Sequence, residues 1–378
     1  MKIEACKVYN PTKIIFGSGA LTSLIDEVGA CTKQERVMLI CGKNALRNSG
    51  YLGKVVKLLK GKKVYLFDKV EPNPEISLIE ETVQYARRNK IEMIIALGGG
   101  SVIDSAKVVS LLADKRYSVE EALKKNNKIE NKSLILFAIP TTAGTGSEVT
   151  KTSSIWNKSK AFKFTMMSDE MFPDVAIIDP LLTLSLGSYQ TASTGLDALS
   201  HAMESFWSKK SSPLSRVFSE TAIKLVFKNL NKAFKRPNDI KAREGMSLAS
   251  LYAGLAISNT GTTVGHAISY YLTARFDIAH GLACALSLPH LIRYNRRYSG
   301  DNYKQFISIL GFSNLNQYAD KVERLIKKLQ LPVRLKEYGV TEKDLPQIQQ
   351  KSFTADNITN NWIKLNKKDL MTILKRML

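Results

Sequence analysis

Only four histidines occur in 378 residues, and three of them stand in segments whose residue types could hold a metal ion. Asp197 and His201 are four positions apart in Gly195-Leu196-Asp197-Ala198-Leu199-Ser200-His201-Ala202-Met203-Glu204. On a helix that spacing puts both side chains on one face, close enough to share an ion. His266 follows in Gly265-His266-Ala267-Ile268-Ser269-Tyr270, and His280 in Asp277-Ile278-Ala279-His280-Gly281. Three imidazoles and one carboxylate are softer than Mg²⁺ prefers; they suit Fe²⁺ or Zn²⁺, and ligand type does not choose between those two. The competing reading of Asp197 and His201 is a hydrogen-bonded helix pair without an ion. His290, in Leu288-Pro289-His290, reads as a core histidine.

Two loops carry a second kind of chemistry. The apolar run Ile91 to Leu97 leads straight into Gly98-Gly99-Gly100-Ser101-Val102-Ile103-Asp104-Ser105-Ala106-Lys107. Strand, glycine turn and helix is the order expected of a phosphate cradle: glycines let the backbone approach a pyrophosphate, and the amides at a helix start attract its charge. Ser101 with Asp104 three residues on resembles a capping box. The spacing is not GxGxxG, so a tight turn without ligand competes with the cradle. A second strand, Leu134 to Ile139, opens into Pro140-Thr141-Thr142-Ala143-Gly144-Thr145-Gly146-Ser147-Glu148-Val149-Thr150. Its hydroxyls and glycine amides can donate to phosphate and ribose oxygens; alternatively, it is a threonine-rich loop bonded to its own backbone.

The elements that must position these residues divide the chain in two. From residue 37 to about 180, short apolar runs (Val37 to Cys41, Lys63 to Phe67, Ile91 to Leu97, Leu134 to Ile139, Val175 to Ile178) alternate with charged-face helical segments. That predicts an open, parallel, Rossmann-like α/β sheet. Beyond Asp179-Pro180 long amphipathic segments dominate, such as Ser215 to Phe234 and Ala242 to Ile257. The expected division is therefore a dinucleotide-binding α/β domain over 1–180 and an all-helical metal-binding domain over 181–378.

Composition narrows the function classes. Four scattered cysteines (Cys6, Cys31, Cys41, Cys284) form no CxxC pair, which argues against a thiolate zinc site or a disulfide framework and for reduced thiols. No segment reads as a secretory signal or a bilayer span, so a cytoplasmic protein that binds no membrane is expected. The net charge of +21 is spread along the chain without an aromatic-interleaved basic stripe, and no nucleic-acid partner is expected.

With these blocks in hand, the chain resembles the iron-containing, group III alcohol dehydrogenase family. The resemblance rests on Asn10-Pro11-Thr12-Lys13-Ile14-Ile15-Phe16-Gly17, the GGGSVIDSAK and PTTAGTGSEVT segments, the Pro173-Asp174-Val175 to Asp179-Pro180 run, GLDALSHAMESF and HGLACALSLPH, in family order over nearly the whole chain. It implies a dehydroquinate synthase-like architecture, an active site in a cleft between the domains, and Asp197, His201, His266 and His280 as metal ligands. By the same matching, Gly99, Gly100, Ser101, Thr141, Thr142, Thr150, Asn73 and Lys163 touch the cofactor. A homodimer is the oligomeric expectation.

Two departures matter. Many members carry a second histidine four residues after the third ligand; here Tyr270 stands in that place, to relay a proton, bind substrate or simply pack. NAD-preferring relatives often have an aspartate where this chain has Gly42, followed by Lys43 and Arg47, which leans the expectation from NAD(H) toward NADP(H). The expected reaction is hydride transfer between NAD(P)H and a small aldehyde or primary alcohol, with Fe²⁺, or Zn²⁺, as Lewis acid. The Ser269-Tyr270-Tyr271-Leu272-Thr273 and Asn360-Asn361 variations look similar to the branch that reduces phosphonoacetaldehyde to 2-hydroxyethylphosphonate, with Arg275 a candidate for the anionic end. A 1,3-propanediol or butanol dehydrogenase and a cyclising lyase of the dehydroquinate synthase type are the alternatives; the lyase would consume no NAD(P)H.

Overall fold

The structure is a computed structural model that describes residues 5–43, 50–125, 129–132, 134–157, 162–298, 300–312 and 314–378. Two compact units emerge. One comprises Asn10–Thr142 and Gly146–Leu186; the other comprises Gly187–Leu378, Ala143–Thr145 and residues 5–9.

In the first unit the strands are β1 (Lys13–Phe16), β2 (Arg36–Gly42), β3 (Lys63–Val70), β4 (Met93–Gly98), β5 (Ile135–Pro140), β6 (Thr152–Asn157), β7 (Phe162–Met167) and β8 (Val175–Ile178). The helices are α1 (Leu24–Ala30), α2 (Tyr51–Leu58), α3 (Ile76–Arg88), α4 (Gly100–Leu112) and α5 (Val119–Lys125). Six strands form a parallel sheet in the order β1-β8-β5-β4-β2-β3. All five apolar runs appear as strands of this sheet. Those of β2, β4, β5 and β8 are apolar without alternation because successive side chains point to opposite faces and both faces are covered, whereas edge strand β3 is half exposed. Met38, Ile40, Ile94 and Ala96 enter one core, while Val37, Leu39, Cys41, Met93, Ile95 and Leu97 enter the other. Each buried Leu or Ile contributes about 1.5–3 kcal/mol.

Short strand β1 lies at the sheet edge with mostly exposed residues, and β6 and β7 form a separate antiparallel pair. None of the three was anticipated, because none carries the continuous apolar run of a doubly covered strand. The capping box does not form. Helix α4 starts at Gly100 behind Gly99 with no side-chain cap, because the Asp104 carboxylate is spent on the β6 side, accepting from Ser147 Oγ (2.5 Å) and the Ser154 amide (2.8 Å).

The second unit is helical: α6 (Ser188–Phe206), α7 (Pro213–Lys235), α8 (Ile240–Thr260), α9 (Val264–Phe276), α10 (His280–Asn295), α11 (Asp301–Ser308), α12 (Leu315–Lys328), α13 (Leu345–Phe353) and α14 (Lys367–Met377). Helix α6 packs against α7, α8 and α10 and is buried from Gly195 through Phe206, which leaves its polar residues facing other helices. Pro213 at the first turn and the reciprocal Ser212–Ser215 cap start α7, and the Asp239 side chain caps α8. Asn360 and Asn361 fasten the chain beyond α13: Asn360 Nδ2 donates to the carbonyls of Thr260 (2.8 Å) and Thr262 (3.0 Å), and Asn361 Nδ2 to Asn295 Oδ1 (2.9 Å). Among the described residues no helix is long and apolar enough to cross a membrane.

Candidate metal centre and phosphate cradle

Helix α6 supplies Asp197 and His201, α9 supplies His266 and α10 begins with His280. Nε2 of His201 and Nε2 of His266 each stand 3.8 Å from Asp197 Oδ1. The His201 and His266 rings stack at 4.7 Å, and His266 meets His280 edge-on at 5.4 Å. The spacing of Asp197 and His201 thus does more than pair them along one helix, since it aims both at histidines from two others. His201 Nδ1 is buried with no hydrogen-bond partner. One carboxylate and three imidazoles, drawn together pairwise and largely out of water, fit a borderline divalent ion such as iron or zinc, although the donor atoms that all lie within 4.8 Å of one another include Cys284 in place of His201.

Glu204, fully buried, was not singled out from the sequence. Its Oε1 lies 2.7 Å from His266 Nδ1, and its Oε2 accepts from the Thr263 amide (2.5 Å) and hydroxyl (2.7 Å). Burial pushes its carboxyl up to about 7, against the pull of the Thr263 donors. A carboxylate on Nδ1 fixes the ring and presents Nε2, 3.8 Å from Asp197, as the lone-pair donor. The available signal was positional, because Glu204 is a charged residue seven positions after Asp197 on the same helix.

Cys284 was also missed. Its Sγ lies 3.9 Å from His280 Nε2, and donor atoms of Asp197, His266, His280 and Cys284 all fall within 4.8 Å of one another. Two glycines make this convergence sterically feasible. A Cβ on Gly265 would meet Glu204 Oε1 at 2.5 Å; on Gly281 it would fall on the Ser193 carbonyl and come within 2.6 Å of Asp197 Cβ. Gly281→Ala is expected to lower stability by about 1–3 kcal/mol and to weaken divalent-ion uptake, read by denaturant unfolding and metal titration. Normal stability with normal uptake would contradict this packing.

Tyr270 on α9 stacks against His280 at 6.2 Å, nearly parallel, and its hydroxyl accepts from Asn357 Nδ2 (3.1 Å), which also donates to Thr262 Oγ1 (2.9 Å). Asn357 went unnoticed in the sequence because it lies 87 positions away. Arg275 is exposed near the end of α9, its guanidinium over Phe276, and His290 is half-buried with burial and nearby arginines holding its imidazole to about 4.

In the α/β unit, Gly99 caps α4 and Gly100 starts it. A Cβ on Gly99 would press within 3.1 Å of Thr142, and the Thr141 amide donates to the Gly98 carbonyl (3.0 Å), so the two glycine- and threonine-bearing loops lie together. Asn73, at φ 58°, donates its amide to Ser101 Oγ (3.2 Å). Thr150, buried, accepts from Lys107 Nζ (2.9 Å), which also donates to Ser147 Oγ (2.8 Å) and the Thr152 carbonyl (2.9 Å), with Asp104 Oδ1 3.8 Å away. Burial lowers the Lys107 amine to about 8 while Asp104 and Glu148 pull it back; burial raises Glu148 to about 7. Lys163 stands on β7 opposite Trp156, whose amide binds the Pro74 carbonyl (2.9 Å) beside Asn73. Gly42 ends β2, and a Cβ there would meet only the Val70 carbonyl at 3.5 Å. Lys43, Lys69, Glu71, Asn73 and Ser77 line a cavity of about 450 Å³. Arg47 lies outside the described residues.

Family models for the iron-containing alcohol dehydrogenases match residues 11–180 and, for the C-terminal part, 191–378. The chain belongs to the iron-containing alcohol dehydrogenase family. It is 32% identical to a 1,3-propanediol dehydrogenase of Klebsiella pneumoniae over 90% of this chain and 93% of that one. With an NADPH-dependent butanol dehydrogenase of Clostridium saccharobutylicum the identity is 31%, over 97% and 96%. The crystal structure of sulfoacetaldehyde reductase from Bifidobacterium kashiwanohense in complex with NAD⁺ superposes with a TM-score of 0.91 at 32% identity, covering 99% of both chains. This dehydrogenase is therefore an NAD(P)-linked oxidoreductase that interconverts alcohols and aldehydes, and the Rossmann-like unit with its helical companion is the family's fold.

Proposed function

We propose that Asp197, His201, His266 and His280 hold divalent iron, with Zn²⁺ the alternative, and that the chain reduces a small aldehyde to its primary alcohol. The observation that carries this is the convergence of those side chains from three helices, with Glu204 fixing His266. When bound, the ion supplies Lewis acidity to the carbonyl oxygen and the nicotinamide supplies hydride. Tyr270 serves as proton donor through its hydroxyl, whose oxygen accepts from Asn357. Asn357 and Thr262 orient it, and its ring stands over His280 where a second histidine is absent.

Residues 1–180 are assigned to the dinucleotide and 181–378 to the metal. Gly99, Gly100 and Ser101 receive the pyrophosphate at the start of α4, with Thr141, Thr142, Asn73, Thr150 and Lys163 completing the site. NADP(H) is the favoured carrier, supported by Gly42 and by Lys43 and Lys69 around the neighbouring cavity. Gly42→Asp, for which there is room, is expected to shift kcat/KM from NADPH toward NADH by about tenfold or more through repulsion of a 2′-phosphate. An unchanged ratio in steady-state assays would remove Gly42 from the specificity site.

Within small aldehydes, a two-carbon substrate with an anionic end, phosphonoacetaldehyde, is proposed from the Ser269-Tyr270-Tyr271 variation and supported by likeness to a sulfoacetaldehyde reductase. The Asn360-Asn361 pair and Arg275 lend no support, being engaged in tethering the chain and exposed on α9, respectively. A 1,3-propanediol or butanol dehydrogenase is the second reading, favoured by the names of relatives. The test is metal analysis of the purified protein together with NADH and NADPH oxidation across an aldehyde panel containing phosphonoacetaldehyde. Full activity in chelated, metal-free protein would sink the proposal, and turnover without net NAD(P)H consumption would favour the lyase.

A further inference from the structure

We propose that Cys284 is an alternative donor to the ion site, taking the place of His201, so that a thiophilic ion is held by Asp197, His266, His280 and Cys284. The proposal rests on reading Asp197, His266 and His280 as ligands. Cys284 follows His280 by four positions on α10, which puts both side chains on one face of the helix's first turns. Its Sγ is fully buried and 3.9 Å from His280 Nε2. Two donors on one tetrahedral zinc-like ion stand about 3.5 Å apart, so a shift of a few tenths of an ångström brings sulfur and imidazole onto a common centre. The mutual distances support the same grouping: donor atoms of Asp197, His266, His280 and Cys284 lie within 4.8 Å of one another.

The chemistry of the two donor sets differs. Asp197 with three imidazoles is a nitrogen and oxygen site suited to iron, whereas the set containing Cys284 adds a soft sulfur that selects zinc, cobalt or cadmium. On binding, the thiol proton passes to water and a sulfur–metal bond forms, with no change of oxidation state. Cys284 thereby makes the choice between an imidazole and a thiolate as fourth donor depend on which ion is bound.

The experiment strips the protein of metal and reloads it with Co²⁺, comparing the wild type with Cys284→Ser and Cys284→Ala; the second variant adds no polar group at this buried position. The expected result is one Co²⁺ per chain with a near-ultraviolet thiolate-to-cobalt charge-transfer band in the wild type, lost in both variants. Cys6, Cys31 and Cys41 remain in all three proteins, which assigns the lost band to Cys284. Cd²⁺ affinity, from chelator competition, is expected to fall by at least about tenfold in the variants while Mn²⁺ affinity holds level. Stoichiometric Co²⁺ without a thiolate band, or with a band that survives both substitutions, overturns the role of Cys284 and leaves the ion site standing. A wild type that takes up no Co²⁺ overturns the ion site and this proposal with it.

Discussion

Replacing His266 with alanine is expected to lower turnover by on the order of 10³-fold or more and to reduce bound metal from about one ion per chain toward none. Lewis-acid stabilisation of a developing alkoxide is worth several kcal/mol, and each 1.36 kcal/mol is a factor of ten. The loss exceeds that of one ligand. Without the imidazole, Glu204 keeps its Thr263 bonds and the backbone bond at position 266 but loses its ring partner, as a fully buried carboxyl already raised to about 7 by desolvation. His201 loses its stacking partner as well. Metal analysis and steady-state kinetics, both with NADPH and with added Fe²⁺, check the prediction. A His266→Ala protein that keeps its metal and turns over normally would show that this ring only packs.

The largest stability effect is expected at Lys107, in a helix buried continuously from Ser105 through Leu112. Lys107→Met keeps the volume but removes three hydrogen bonds and the cation facing Asp104 and Glu148. The expected loss is about 3–5 kcal/mol, the range found when one partner of a buried charge network is removed, and chemical denaturation measures it. The pH dependence has a definite sign. Folded Lys107 releases its proton near 8 and the unfolded side chain near 10.5, so between those values the unfolded chain binds more protons and stability rises with pH. That alkaline gain should disappear in the Met variant. A wild-type slope retained by the variant would place the titration elsewhere.

These two positions illustrate what could be read in advance. His266 was visible because histidine is scarce in this chain and its neighbours follow a family pattern. The sheet was visible because strands covered on both faces leave uninterrupted apolar runs. Lys107 and Glu204 were less visible: each is a charge whose partner lies far along the chain, 43 positions from Lys107 to Thr150 and 62 from Glu204 to His266. Asp104 shows the opposite error. Its distance from Ser101 satisfies a local rule, yet its oxygens serve Ser147 and Ser154 because a folded carboxylate takes its best donors from anywhere. Cys284 was set aside because only a CxxC pairing was sought, and a lone thiol reveals its neighbours only once α9 and α10 pack.

The derivation of the donors from α6, α9 and α10 has a further consequence. An ion held in common by three helices has no comparable site in the unfolded chain, so its binding energy becomes folding energy. At a free concentration a thousandfold above its dissociation constant, an ion stabilises the helical half by about 4 kcal/mol. On the proposed ligand set, loss of the ion therefore lowers the stability of the helical half together with its activity.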